Sequence, residues 1–221
     1  MILRDIALYL DNDQYERDRI VSFGFHARYV CNYLRRRLRV LKFDAAGFSR
    51  IVVRGCREEQ DACPIQGESA AVPGILFDKD AYESLGPGQR HEFFISMLLR
   101  GLRKCARFHC IPLAELELAI EDFRRGGYRN EWTHKRRSFP KLGVRASLLC
   151  SMDSEKFVLT LSVECRGRNP FVRQILQTKP DETIFAHRFK DVVVRDGKVV
   201  VIDLFNKPAY TLDLESLTPT E

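Results

Sequence analysis

The feature that most constrains this chain is a change of hydrophobic period near residue 142. Before it, apolar residues recur at three- and four-residue steps, and after it they alternate. In "FHARYVCNYLRRRLRVLKF", Phe25, Tyr29, Val30, Tyr33, Leu34, Leu38 and Leu41 mark one helical face. The same period predicts helices over 90–108, with Phe94, Leu98, Leu102 and Cys105 inward, and over 112–125, with Leu113, Leu116, Ile120 and Phe123 inward. Gly126 and Gly127 then stop the chain.

Two short strands are expected between the helices, at "GFSRIVVRG" and "ILFD", separated by the irregular "CREEQDACPIQGESAAVPG". Beyond residue 142, "VRASLLCS" and "KFVLTLSVEC" flank "MDSE" and predict an antiparallel hairpin over 144–151 and 156–165. "TIFAHRFKDVVV" and "KVVVIDLF" predict a second hairpin over 184–204, its Asp196-Gly197 turn suiting a type I′ geometry. "PAYTLDLE" adds a further strand. The expectation is an α+β fold, one domain over 1–221, with N-terminal helices (about 1–126) packed on a mostly antiparallel C-terminal sheet (about 142–215).

Composition narrows the class. At 45% hydrophobic and 30% charged over 221 residues, the chain can bury a sizeable core. No apolar run approaches the roughly 20 residues that cross a bilayer, and Arg4 and Asp5 interrupt the start before a signal-peptide core develops. A cytoplasmic protein with no membrane partner is expected. Seven cysteines, an odd number, suit reduced thiols better than a secreted disulfide framework. Cys56 with Cys63 and Cys105 with Cys110 lack CxxC spacing, so neither metal nor disulfide is expected, and no cofactor. "HEFF" at 91–94 begins like a zinc-protease helix, but Ile95 stands where HExxH needs its second histidine.

Charge is the most uneven property. From Arg124 to Arg145 eight lysines and arginines stand against the single acid Glu131, a net of +7 in a chain whose total is +6. Such a localised field favours an anionic partner. Its centre, "GYRNEWTHKRRSF", holds the only tryptophan. The candidate partner-binding residues there are Arg129, Trp132, His134, Lys135, Arg136 and Arg137. A second cationic strip, Arg28, Arg35, Arg36 and Arg39, runs with Asn32 opposite the apolar face of the first helix. It reads either as a solvated face or as an anion-facing one.

Three functions compete for these residues. Nucleic acid would be met by stacking on Tyr128, Trp132 or Phe139 while the cations hold phosphate, although no RRM, KH, C₂H₂ or helix-turn-helix signature is present. Catalysis would need Glu131 and His134 as an acid/base pair on a helix, unsupported by any GxSxG, P-loop or dinucleotide fingerprint. No catalytic residue is therefore assigned, and an enzyme is not the expected reading. Protein binding remains.

The run "FGFHARYVCNYL", the stretch "GYRNEWTHKRR" and the hairpin "GVRASLLCSMDSEKFVLTL" together resemble bacterial immunity proteins, the small cytosolic proteins encoded beside polymorphic toxins. The resemblance lies in size, layout and cysteine usage. It implies a non-catalytic protein whose charged surface neutralises a cognate toxin. Many immunity proteins are acidic, whereas this chain is basic. The expected function is thus protein binding through an anionic partner surface, with a nucleic-acid-associated protein using 124–145 as the alternative.

Overall fold

The structure, a computed structural model, describes residues 1–67 and 69–218. The fold is α+β, and it divides into two compact units, Met1–Asn130 and Glu131–Glu221.

The first unit contains a sheet that the helical reading did not include. Strand β1 (Asp5–Leu10) leads into helix α1 (Arg17–Leu41), which returns the chain to β2 (Arg50–Cys56), parallel to β1 in the register Asp5↔Arg50 to Leu10↔Gly55. Parallel strands require such a crossover. Ile6, Ala7, Leu8 and Leu10 are all buried, so β1 is a nearly continuous apolar run, as strands covered on both faces are. The second edge of β2 is shared by β4 (Ala70–Ala71) and β5 (Gly74–Leu76), both parallel to it, and β3 (Ile65–Gln66) pairs antiparallel with β4. Pro73, lacking an amide hydrogen, falls in the gap between β4 and β5 and contributes only its carbonyl, which accepts from the Arg54 amide at 3.0 Å.

After the short α2 (Lys79–Ser84), α3 (Arg90–Phe108) and α4 (Leu113–Arg125) match the expected helices. α1 packs on β1, α3 packs on β2, and the three long helices pack against one another. α3 comes so close to β2 that a Cβ built on Gly101 would lie 2.5 Å from both γ-carbons of Val53.

The second unit is antiparallel. β6 (Asn130–Phe139), β7 (Val144–Met152), β8 (Phe157–Cys165) and β9 (Phe171–Thr178) form one sheet in that order. β10 (Asp191–Arg195), β11 (Lys198–Ile202) and β12 (Pro208–Asp213) form another. The β7–β8 hairpin has the expected alternation. Ala146, Leu148 and Cys150 face the core from β7 with Leu159, Leu161 and Val163 from β8, while Asp153 closes the turn by accepting from the amides of Glu155 and Lys156. At the β10–β11 turn Asp196 and Gly197 both have positive φ, 48° and 71°, as a type I′ turn demands.

The strand expected from residue 184 is corrected. Residues Glu182–Phe185 form a one-turn helix, α5, capped by Asp181, which accepts from the Thr183 amide, and the strand begins only at Asp191. The buried residues Phe185 and Phe189 are four apart and both stack on Phe157, at 3.6 and 5.7 Å between centroids, a spacing that alternation does not provide.

The Gly101 contact gives a direct test. Gly101→Val should destabilise the protein by about 2 kcal/mol or more, because overpacking against a stiff β-branched neighbour adds to the poor helix propensity of valine. Thermal unfolding of this variant with and without Val53→Ala reports the coupling. The double variant should lose less stability than the two single losses together, and simple additivity would show that the approach of α3 to β2 is not tight.

Candidate partner-binding surface

The residues singled out by charge fall in both units, so each set is described in its own setting. On α1, the cationic strip is not a solvated face throughout. Asn32 is buried, and its Oδ1 accepts from Asn130 Nδ2 at 3.0 Å. Arg35 is half-buried with Nε 2.6 Å from Asp5, which Arg50 also meets at 2.6 Å. Arg36 donates to Asn130 Oδ1 and lies over the Tyr33 ring at 5.7 Å. Arg28 lies over Phe25 at 5.3 Å. Arg39, in the last turn, is exposed. Most of the strip is therefore engaged in holding α1 to β1 and to the end of the unit.

The basic stretch is likewise partly neutralised by carboxylates far away in sequence. Arg124 pairs with Glu92 at 2.6 Å and with Glu121, and Arg125 pairs with Asp122. The Arg124 hydrogen bond holds the Glu92 carboxyl below its ordinary range. Tyr128, at φ 59°, donates to Glu92 at 2.9 Å and stacks on His91 at 4.5 Å. In the second unit Arg145 meets Glu164 at 3.3 Å. Arg137 grips Asp191 through Nε at 2.9 Å and through a second nitrogen, with Lys135 3.8 Å away. That clamp pulls the Asp191 carboxyl down to about 2, the Arg137 hydrogen bond being the largest cause.

Arg129, Arg136 and Lys141 are exposed and have no ion pair among the described residues. Arg136 only approaches Ser147 Oγ, at 3.4 Å. Arg136 lies on β6, the terminal strand of its sheet, whose outer edge has no ladder partner among the described residues and whose side chains are mostly exposed.

The strand conformation of β6 also removes the helical geometry that an acid/base pair needed. Residues three apart on a strand point to opposite faces, so Glu131 and His134 are not a pair. His134 instead meets Phe189 edge-on at 4.8 Å, and loss of solvent on that side lowers its imidazole below the ordinary value. Trp132 is half-buried with its ring 6.0 Å from Phe157. Among the described residues, no group of three or more His, Cys, Asp or Glu side chains is placed to hold a metal ion. No helix of the described chain is long and apolar enough to cross a membrane.

Comparison of the chain with protein-family models, with curated proteins and with solved structures finds no match.

The Asp191 clamp has a pH signature. Because its carboxyl is lower in the folded chain than the ordinary value of about 3.9, its contribution is complete above about pH 4 and is lost as pH falls toward about 2. Denaturant unfolding of the parent and of Asp191→Asn, run from pH 6 to pH 2, should show a stability gap that closes below pH 4. A gap that is constant with pH would mean that the Arg137–Asp191 contact is not an ion pair in solution.

Proposed function

We propose that the chain is a non-catalytic protein-binding protein of the cytoplasm, which receives an acidic surface of its partner on Arg129, Arg136 and Lys141. The observation that carries this reading is that these three cations are exposed and lack an internal carboxylate, whereas their neighbours Arg124, Arg125, Lys135, Arg137 and Arg145 have one. Unbalanced charge at a surface steers an oppositely charged partner and costs the fold little. The resemblance to immunity proteins makes a cognate toxin the partner of choice, encoded in the adjacent open reading frame. The engagement of aromatic rings supports protein over nucleic acid: Tyr128 is stacked on His91 and Trp132 lies against Phe157, so neither offers a free face for a base.

The test replaces Arg129, Arg136 and Lys141 by glutamine and measures affinity for the product of the adjacent reading frame across salt concentrations. The triple variant should keep its melting temperature, since exposed substitutions of this kind stay within about 0.5 kcal/mol. It should bind at least tenfold more weakly at low salt and show a flatter salt dependence. Unchanged affinity at low salt would overturn the reading. Tight, salt-sensitive binding of a single-stranded oligonucleotide, lost in the same variant, would replace it with the nucleic-acid alternative.

A further inference from the structure

Cys63 and Cys105 are 42 positions apart, yet their side chains are hydrogen-bonded to each other. Cys63 lies in the segment 57–64 that follows β2, and Cys105 faces it from α3. The segment is held there by the two residues that flank Cys105 on the helix surface. His109 Nε2 donates to the Cys63 carbonyl at 2.7 Å. Lys104 Nζ donates to Glu59 at 2.6 Å, to the Gly74 carbonyl at 2.7 Å and to the Gln60 carbonyl. Cys63 is thus suspended over Cys105 between two fixed carbonyls. Apart from the half-buried Gln60, it is the one residue of the segment that is not exposed.

We propose that Cys63 and Cys105 are a peroxide-reactive thiol pair, Cys63 attacking first and Cys105 resolving the product into a disulfide that joins the 57–64 segment to α3. The hydrogen bond from Cys105, followed by the positive and hydrogen-bonding influence of His109, lowers the Cys63 thiol to about 7, so much of it is thiolate near neutral pH. Burial and the same hydrogen bond raise Cys105, which stays protonated. In the first step the Cys63 thiolate attacks one oxygen of hydrogen peroxide, the O–O bond breaks, hydroxide leaves, and Cys63 becomes a sulfenic acid. In the second step the Cys105 sulfur attacks Cys63, the S–O bond breaks, and water leaves with the Cys105 proton. Two thiols are oxidised by two electrons, and one peroxide is reduced to two waters. The cover over Cys63 is a single stretch of exposed chain, and peroxide is close to water in size. The 5% exposure of Cys63 is therefore not a barrier of the kind that protects a thiol deep in a core.

The experiment treats the native protein with hydrogen peroxide, alkylates it in denaturant, and maps the digest without reduction. The expected product is a Cys63–Cys105 cross-linked peptide that dithiothreitol reverses, with alkylatable thiols falling from seven to five. In Cys105→Ser the sulfenic acid should persist on Cys63 and be trapped by a cyclic dione. Oxidation of the exposed Cys110 while Cys63 and Cys105 are both recovered alkylated would overturn the proposal. So would a cross-link from Cys63 to any other cysteine. The measurement on the unmodified chain stands even if a variant folds poorly.

Discussion

The parallel pairing of β1 with β2 sets the terms for the first unit. Two parallel strands cannot be joined by a tight turn, so the chain is committed to a long return, supplied by the 25 residues of α1. A sheet with buried residues along both strands must also be covered, and α1, α3 and α4 provide that cover by packing on it and on one another. The closeness of this cover is visible at Gly101, where only a missing side chain lets α3 approach Val53. The carboxyl ends of β2 and β5 then face the segment 57–64, so the position of that segment follows from the sheet.

Much of this was legible from periodicity, and the failures share a cause. Long amphipathic helices announce themselves because many residues repeat the same spacing, and α1, α3 and α4 fall within a few residues of expectation apart from the earlier start of α1 at Arg17. The hairpin β7–β8 and the Asp196-Gly197 turn carry equally clear signals. β1 does not alternate, because both of its faces are buried, and six residues are too few to separate a strand from a helix fragment. β6 fails for the opposite reason: it is an exposed terminal strand with too few apolar residues to show any pattern. α5 was hidden inside an apolar run whose Phe185 and Phe189 answer to ring stacking on Phe157.

The candidate site shows why charge counted along a chain is not charge in space. The excess between Arg124 and Arg145 is real, but its partners Glu92, Asp191 and Glu164 lie 19 to 54 positions away and are brought in only by folding. What survives is a smaller set of three cations, one of which, Lys141, was not among the residues first singled out. The cysteines show the same limitation in reverse. Spacing correctly excludes CxxC, yet spacing has no access to a pair assembled from a loop and a helix.

Lys104 has a consequence for how the first unit moves. Its ammonium has three protons, and three oxygens, from Glu59, Gln60 and Gly74, receive them at a site only 5% exposed. Releasing one oxygen at a time would leave a buried charge partly unsolvated, which is costlier than either keeping or losing all three together. The segment 57–64 therefore has no gradual way to loosen. It behaves as a latch with a shut and an open position, and the amides it covers, such as that of Gln60 bonded to Gly74, should exchange with solvent in one cooperative event with the release of Lys104, rather than fraying from the loop inward.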